Sequence, residues 1–315
     1  MMQASHHARQ AQMLANRVAK NFKALQKWAA QQDIEVFRLY DWDIPEIRAV
    51  VDWYGGHLLV AEYARQQTDE MPDWLPTMGK AIAQVLNVPL ENLHLRQRRT
   101  GQRGQRYGRL DQQNQRLMVR ERGLKFWVNL TDYIDTGLYA DHRDTRQMLG
   151  KDAKDRDFLN LFAYTGAFTV YAAAAGAKST TTIDSSGLYL QWAKDNLALN
   201  GLDGPQHRFE RNDVRDYLHL AQRNEKLWDL ILLDPPTFSS GEGKDWDVQR
   251  DHRALIEQTL GLLRPDGVLY FSTNHQRFEP NLADLAVKEC RDISTVTLPR
   301  DYRNVNVHRC WRLQK

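Results

Sequence analysis

The sequence predicts an α/β fold in which a seven-stranded, Rossmann-like sheet, parallel apart from an antiparallel terminal hairpin, follows a small α+β domain. The chain has 315 residues, longer than a typical single domain, which favours one large and one small unit. From about residue 157 onward, apolar runs of strand length alternate regularly with helical segments. The last two apolar runs, "ISTVTL" and "NVHRCWRL", stand too close together for a crossover helix and therefore predict the hairpin.

The amino-terminal part predicts a helix followed by two small β modules. Apolar residues recur every three or four positions within residues 1–33, as in an amphipathic helix: Leu14, Val18, Phe22, Leu25 and Trp28. Residues 34–110 predict a small α+β RNA-binding domain, with a strand in "IEVFRLY", a hairpin in "AVVDWYGGHLLVAEYA", a helix in "WLPTMGKAIAQVL" and a strand in "NLHLRQR". Residues 111–150 predict a second hairpin, turning near Gly123, and a connecting helix. The large sheet domain occupies residues 151–315.

A βαβ unit opens the large domain in "DFLNLFAYTGAFTVYAAAAGAKSTTTID". An apolar strand is followed by a turn at Tyr164-Thr165-Gly166 and by an alanine-rich helix that ends near Gly176. The β-branched run after it predicts a second strand that stops at Asp184. Because parallel strands bind ligands at their carboxyl ends, Asp184 is expected to lie in a binding crevice.

The spacing in this unit predicts the kind of ligand. An acid at the end of the second strand, about 20 residues after the glycine turn, is placed to bind two ribose hydroxyls. Dinucleotide-binding sites use three glycines to approach a pyrophosphate, and only Gly166 is present here, which disfavours a nicotinamide oxidoreductase. S-adenosylmethionine, with ribose and adenine but no phosphate, fits better. The alternative is an ordinary βαβ unit with a surface aspartate.

Polar residues also close the later strands. After the helix "GLYLQWAKDNLALNG", the strand "HRFERND" ends on Asn212 and Asp213, and "LWDLILLDPPTF" ends on Asp234. With "DGVLYFSTN", these make five parallel strands before the terminal pair, which is the class I methyltransferase sheet. In such a site the backbone around Gly166 is expected to face the methionine moiety, Asp184 the ribose, and Asn212 with Asp213 the adenine.

The most specific motif is "DPPTF". Two prolines fix the backbone after Asp234 and push the residue before them into an extended conformation. A rigid loop of this kind can hold a planar base against the methyl group, with Phe238 available for stacking. The alternative is a structural turn that leaves the strand.

Several segments together resemble the RlmK half of the bifunctional RlmKL ribosomal RNA methyltransferases: "NLFAYTGAFTVYAAAAGAKSTTTIDSS", "LQWAKDNLALNG", "DPPTFS", "WDVQRDH" and "NLTDYIDTGLYADHR". The similarity runs from about Ala15 to the carboxyl end. It implies methyl transfer from S-adenosylmethionine to guanine N7 in large-subunit (23S) ribosomal RNA. In the fused family members a guanine-N2 methyltransferase half precedes this one. A separate guanine-N2 chain is therefore one expected partner; the alternative is that the module acts alone.

The resemblance also implies that "DTGLYADHR" folds over the cofactor, with Tyr139, Asp141 and Arg143 near its methionine end. The alternative is that Asp141 caps the following helix. The predicted cofactor-binding set is Tyr139, Asp141, Arg143, Asn160, Phe162, Tyr164, Thr165, Gly166, Asp184, Ser185, Asn212, Asp213 and Asp234. The predicted catalytic set is Asp234, Pro235, Pro236, Phe238 and Asn274.

Guanine N7 carries a lone pair and no proton, so its attack on a sulfonium methyl group needs alignment but no general base. Asp234 is expected to favour the cationic product and Asn274 to contact the base. Cytosine C5, an alternative target, requires a cysteine thiolate after the fifth strand, where this chain has Ser272, Thr273 and Asn274. Cys290, expected in the next helix, and Cys310, in the hairpin, are interpreted as core residues. An exocyclic amine target and a non-catalytic RNA-binding scaffold remain as alternatives.

A basic stretch predicts RNA contacts. Between residues 96 and 125 the only acids are Asp111 and Glu121. Its candidates for neutralising phosphates and stacking on unpaired bases are Arg96, Arg98, Arg99, Arg103, Arg106, Tyr107 and Arg109. The alternative is a solvated charged loop. The expected partner is large-subunit ribosomal RNA or a ribosome assembly intermediate.

Composition narrows the class of protein. Lys and Arg total 43 against 40 Asp and Glu, so the charge is nearly balanced. Two cysteines far apart make no metal or disulfide framework, which suits a reducing cytoplasm. The first residues lack the apolar core of a signal peptide, and no apolar run reaches membrane-spanning length. A cytoplasmic protein without membrane or metal is expected.

Overall fold

The computed structural model describes residues 2–64, 71–99, 111–239 and 245–315. They form two compact units, one of residues 1–136 with 300–303 and the other of residues 137–299 with 304–315. The hairpin predicted within residues 111–150 belongs to the first unit and the connecting helix to the second. Four predicted RNA-binding residues, Arg103, Arg106, Tyr107 and Arg109, lie outside the described residues, and the side chains of Arg98 and Arg99 are not described either.

The described residues of the first unit form a four-stranded sheet, two helices and a separate hairpin. Its elements are α1 (Met2–Gln31), β1 (Val36–Asp41), β2 (Ala49–Tyr54), β3 (His57–Ala64), α2 (Trp74–Leu86), a 3-10 turn (Leu90–Asn92), β4 (Leu93–Arg99), β5 (Leu117–Glu121) and β6 (Leu124–Val128). The sheet order is β1-β2-β3-β4; β3 and β4 run parallel and the other neighbours antiparallel. These elements match the predicted ones.

The apolar stripe of α1 explains the packing of this unit. Leu14 and Val18 are fully buried and share one core with Val51 and Val60 of the sheet and Ile82 of α2. The period of three to four residues that predicted the helix therefore marks the face that covers the sheet.

The second unit contains a seven-stranded sheet. Its elements are a 3-10 turn (Ala140–His142), α3 (Arg143–Ala153), β7 (Asp157–Leu161), α4 (Ala167–Ala174), β8 (Ser179–Asp184), α5 (Gly187–Leu199), β9 (His207–Arg211), α6 (Val214–Arg223), β10 (Trp228–Leu233), β11 (Phe238–Ser239), β12 (Trp246–Asp247), α7 (Val248–Leu260), β13 (Leu263–Thr273), β14 (Glu289–Asp292) and β15 (Arg309–Gln314). The sheet order is β14-β15-β13-β10-β7-β8-β9. Only β15 runs against the other strands of this sheet.

Both faces of the sheet are covered, as expected for parallel strands. In β10, Ile231 and Leu233 belong to one core, whereas Leu230 and Leu232 belong to the core on the opposite face. The order of strands reverses at β7, whose neighbours are β8 on one side and β10 on the other. The carboxyl ends of these three strands form the crevice where doubly wound sheets bind ligands.

The terminal hairpin corrects two predictions. Its first strand is β14, not "ISTVTL", because the Asp292 carboxylate accepts hydrogen bonds from the backbone N–H and hydroxyl of Ser294 and turns the chain there. Cys290 lies in this strand and is exposed, so its assignments to a helix and to the core were wrong. In the described part of the chain, no helix combines the length and the apolar character needed to span a membrane.

Candidate active site

The loop between β7 and α4 has an unusual backbone. Phe162 (φ 58°), Tyr164 (φ 51°) and Gly166 (φ 71°) all adopt left-handed conformations. Glycine adopts this region without strain, but bulky aromatic residues rarely do. Strain of this kind persists only where surrounding contacts impose it, and it concentrates at functional sites.

Three hydrogen bonds impose this conformation. The Asp184 carboxylate accepts one from the Tyr164 N–H at 2.8 Å. The Thr165 hydroxyl donates to the Gly137 carbonyl at 2.6 Å, and the Asn196 amide donates to the Thr165 carbonyl at 2.9 Å. The loop is therefore tied to β8, to α5 and to the segment before α3.

Close packing under the loop requires glycine. A Cβ atom at Gly166 would lie 2.6 Å from the Cβ of Ala193, and one at Gly137 (φ 100°) would overlap the Trp192 ring. Both positions thus combine a left-handed backbone with a lack of space. Packing against α5 is therefore sufficient to require glycine at position 166, whether or not a ligand binds there.

Asp184 stands at the carboxyl end of β8, as predicted. Its second carboxylate oxygen accepts the Ser186 N–H at 2.8 Å. Burial raises the pKa of this carboxyl, and the backbone donors of Ser186, Tyr164 and Ser185 oppose the rise. Each carboxylate oxygen has a second lone pair, so the group can still accept bonds from two ligand hydroxyls.

Aromatic rings line the crevice beside this acid. The Tyr164 ring lies 5.3 Å from that of Tyr139 and 4.6 Å from that of Tyr189, measured between centroids. Tyr139 is exposed, whereas Tyr189, at the start of α5, is buried. The sequence interpretation missed Tyr189, because it lies in a helix whose apolar residues looked like core.

Asn160 lies in the interior of β7 and is almost fully buried. Its amide group donates to the Thr169 hydroxyl at 3.0 Å, and that hydroxyl lies 2.9 Å from the hydroxyl of Thr182. The side-chain oxygen of Asn160 is buried without a hydrogen-bond partner. A buried acceptor left unsatisfied is rare, and it is the kind of atom that a ligand amino group can complete.

The residues predicted to contact adenine have local partners as well. Asp213 is the N-cap of α6, and its carboxylate accepts the Arg215 N–H at 2.9 Å. The Asn212 N–H donates to the Asp184 carbonyl at 3.1 Å, which places it beside the acid of β8. Ser185 is exposed and its carbonyl accepts a bond from Arg211.

The "DPPTF" segment forms a braced loop after β10. Asp234 accepts a hydrogen bond from the Ser272 hydroxyl of β13, and the Pro236 carbonyl accepts the Trp246 indole N–H at 2.7 Å. The Thr237 hydroxyl donates to the Asn274 side chain at 2.6 Å. The structure thus joins Asn274, predicted from the sequence, to the loop.

Phe238 is presented outward from this loop. It pairs with Asp247 in the short β11–β12 ladder, and half of its surface is exposed (50%). Its ring lies 6.2 Å from that of His275 in an edge-on arrangement. A rigid acid, two prolines and an open aromatic ring therefore share one edge of the sheet.

Comparison with known proteins identifies the group to which this chain belongs. A model of the S-adenosylmethionine-dependent methyltransferases matches residues 40–297. Ribosomal RNA large subunit methyltransferase K of Neisseria meningitidis serogroup B is 42% identical over 307 residues, which cover 95% of this chain and 86% of the relative. The chain belongs to this methyltransferase family.

A longer relative extends the comparison. Ribosomal RNA large subunit methyltransferase K/L of Aeromonas salmonicida is 44% identical over 309 residues, which cover 96% of this chain but 43% of the relative. The methyltransferase described here therefore spans less than half of that protein's length.

Solved structures share the fold at low identity. SMU.776, solved in complex with SAH, superposes with a TM-score of 0.78 at 22% identity, over 97% of this chain and 82% of its own. The M. jannaschii tRNA m1G37 methyltransferase gives a TM-score of 0.54 at 17% identity, over 94% of this chain and 77% of its own. The class I methyltransferase fold predicted from the sequence is confirmed, and S-adenosylmethionine is the cofactor of the family.

The methyltransferase carries one cysteine close to its "DPPTF" acid. Cys310 of β15 pairs in register with Ser272, which is bonded to Asp234. Cys310 is fully buried, as predicted, and burial raises the pKa of its thiol well above the usual range. Because the thiolate is the nucleophilic form, Cys310 is poorly suited to covalent attack.

Asp141 does not cap α3. The N-cap of that helix is His142, which makes no side-chain capping bond. The Asp141 carboxylate instead lies 3.5 Å from Nδ1 of His308 and 3.8 Å from Nε2 of His142, and all three side chains are buried. No local pattern predicted this cluster, since His308 lies at the far end of the chain.

These three residues have the donor types of a metal site, with ligand atoms within 4.8 Å of one another. The other contacts of the two histidines indicate that they hold Asp141 in place rather than bind a metal. The rings of His142 and His308 stack at 4.5 Å, and Nε2 of His308 lies 3.2 Å from the Thr297 hydroxyl. Burial lowers the pKa of His142, and the nearby His308 lowers it further.

Arg143 and Arg146 begin α3 and are both buried. Arg146 donates to the Tyr139 carbonyl at 2.8 Å and its guanidinium lies 5.9 Å from the Phe168 ring centroid. The segment "DTGLYADHR" is thereby fixed beside α4, so that Tyr139 stays next to Tyr164.

Arg96 requires a correction. Only 5% of its surface is exposed, and its guanidinium donates to the carbonyls of Leu130, at 3.0 Å, and Ile134. A guanidinium committed to two internal carbonyls does not present itself to a phosphate. Arg96 holds the loop after β6 and is removed from the predicted RNA-binding set.

Proposed function

We propose that this methyltransferase transfers a methyl group from S-adenosylmethionine to N7 of a guanine in large-subunit (23S) ribosomal RNA. The observation that carries the proposal is the braced "DPPTF" loop, in which the Ser272 hydroxyl holds Asp234. A cytosine-C5 enzyme would have its cysteine just after the strand that carries Ser272. The names of the K and K/L relatives support ribosomal RNA as the substrate.

The cofactor would occupy the crevice at the ends of β7 and β8. Asp184 would accept the two ribose hydroxyls, and Asn212 with Asp213 would face the adenine. The unsatisfied side-chain oxygen of Asn160 would accept from the methionine ammonium. When bound, the cofactor supplies a methyl group activated by a positively charged sulfur.

The protein residues would act by positioning the base. Pro235 and Pro236 fix the loop backbone, and Phe238 offers an open face on which guanine can stack. Asp234 would accept a hydrogen bond from the guanine edge and favour the cationic ring that forms on N7 methylation. No side chain needs to remove a proton, because N7 carries none.

Cytosine C5 is disfavoured by the burial of one cysteine and the position of the other. Cys310 is buried with a raised pKa, and Cys290 lies in β14 at the edge of the sheet. Neither supplies a thiolate at the carboxyl ends of β10 and β13. Methylation of the exocyclic amine of guanine would use the same loop, with the base bound in a different orientation. Product analysis distinguishes this product from N7-methylguanine.

The test is product analysis on ribosomal RNA. RNA from cells lacking the chain should accept methyl groups from the purified enzyme, and borohydride followed by aniline should then cleave the RNA at the new site. Nucleoside mass spectrometry should report 7-methylguanosine. A product of 5-methylcytidine or N2-methylguanosine would contradict the N7 assignment, and absence of transfer would favour a non-catalytic scaffold.

Two partners are part of the proposal. The first partner is the substrate, which is either ribosomal RNA or an assembly intermediate. Parallel assays on naked RNA and on precursor particles distinguish the two.

The second partner is a separate guanine-N2 methyltransferase chain. We propose it because the K/L relative is more than twice as long as its matched region. Deleting a candidate N2 chain should leave the N7 product intact if the two activities are independent.

A further inference from the structure

The first unit holds one tryptophan in an unfavourable position. Trp42 follows β1 and has a left-handed backbone (φ 52°), although 42% of its surface is exposed. A bulky residue is disfavoured in this conformation, and an exposed indole gains little from burial. Neither the backbone nor the core accounts for tryptophan at this position.

The indole is held in a fixed orientation. Its N–H donates to the Pro45 carbonyl at 3.0 Å, and the Trp42 backbone N–H donates to the Ala49 carbonyl at 3.1 Å. The ring therefore cannot turn to bury itself without breaking a hydrogen bond. A rigid, exposed aromatic surface loses little conformational entropy when a ligand stacks on it.

Two flat groups pack against the indole ring. The Arg48 guanidinium lies 4.5 Å from the Trp42 ring centroid, and the Tyr63 ring lies 6.3 Å away at an interplanar angle of 30°. The Tyr63 N–H donates to the Arg48 carbonyl at 3.1 Å, which fixes the two residues relative to each other. Nε of Arg48 is buried and has no hydrogen-bond partner.

The chemistry of these three side chains selects the ligand. Aromatic rings and guanidinium planes are the groups on which unpaired bases stack.

We propose that Trp42, Arg48 and Tyr63 form a stacking platform for an unpaired base of the RNA. The platform belongs to the first unit, whereas the "DPPTF" loop belongs to the second. It would bind bases outside the methylated nucleotide and so add affinity without contributing to methyl transfer itself. The proposal rests on the proposed function, because that function makes RNA the substrate.

The test compares a single strand with a duplex. Fluorescence anisotropy would measure binding of a fluorescein-labelled twelve-nucleotide oligoadenylate and of a duplex RNA of the same length. Trp42→Ala should weaken binding of the single strand about tenfold, while duplex binding changes little. Trp42→Phe should recover most of the affinity, and Leu90→Ala, which removes another exposed apolar side chain of this unit, should have no effect.

Several results would overturn the platform. They are unchanged single-strand affinity in Trp42→Ala, equal losses for single strand and duplex, or a Phe variant as weak as the Ala variant. If Trp42→Ala does not fold, as judged by circular dichroism, Arg48→Gln provides the same comparison. A KM for RNA that does not depend on Trp42 would reject the platform alone, whereas Trp42-dependent binding without methyl transfer would reject the proposed reaction alone.

Discussion

The Asp184 carboxylate accepts a hydrogen bond from the backbone N–H of Tyr164 at 2.8 Å. The acid predicted to bind ribose therefore also holds the left-handed loop between β7 and α4. We therefore expect changes at Asp184 to alter both the loop conformation and the proposed cofactor binding.

Asp184→Ala should weaken cofactor binding by about 1–3 kcal/mol, because a charged acceptor is lost. The same change frees Tyr164, so the free energy of unfolding should fall as well. Asp184→Asn retains an acceptor for one donor and should show a smaller loss of both. Calorimetry with S-adenosylmethionine and urea denaturation measure the two effects, and unchanged affinity in the Ala variant would remove Asp184 from the site.

Gly166→Ala should destabilise the protein by about 2–4 kcal/mol, because it adds backbone strain and a clash with Ala193. Gly123→Ala is the matched control, since Gly123 also has a positive φ (82°) but its Cβ would meet nothing within 4 Å. The control should lose only about 1 kcal/mol. Equal losses in denaturant midpoints would show that packing against α5 is unimportant.

Asp234→Ala should lower kcat strongly while cofactor affinity falls less, because the proposed role of this acid is to orient guanine. Ser272→Ala should lower kcat by a smaller factor, since it removes only the hydroxyl that holds Asp234. The double change Cys290→Ala and Cys310→Ala should retain methyl transfer and lose some stability at the buried Cys310. A folded, cofactor-binding double variant with no transfer would contradict the non-covalent mechanism.

Replacing Arg98, Arg99, Arg103 and Arg106 by glutamine should flatten the dependence of RNA binding on salt, with the slope falling by up to about four. Cofactor binding should not change. Arg96→Gln is a useful contrast, because its guanidinium is buried against two carbonyls and its loss should reduce stability. An unaltered salt slope in the quadruple variant would mean that this stretch is only a solvated loop.

Stability should fall as the pH is lowered below about 6.5, the usual pKa of histidine. Burial lowers the pKa values of His57, His142 and His207, and that of His94 to about 4. Between pH 6.5 and 4 the unfolded chain therefore binds protons that the folded chain does not, which favours unfolding. His94→Gln should reduce this slope in thermal melts recorded from pH 7 to pH 5; an identical slope would contradict the contribution of His94.

The sequence by itself determined the elements whose signals are local. The strand, glycine turn and alanine-rich helix around Gly166 occur as predicted, and so does the hairpin at Gly55-Gly56. In each case residues close together in the sequence impose the conformation, either through the periodic spacing of apolar side chains or through the conformational freedom of glycine. The acid at the end of β8 follows from the same local spacing.

Tertiary structure decided everything that depends on residues distant in sequence. The strand β14 forms by pairing with β15, which lies about twenty residues later in the chain, and the burial of Arg96 depends on carbonyls more than thirty residues away. The cluster of Asp141, His142 and His308 forms only because β15 returns to the sheet beside β13. A side chain's exposure and partners are set by whichever elements pack against it, and no local pattern encodes that choice.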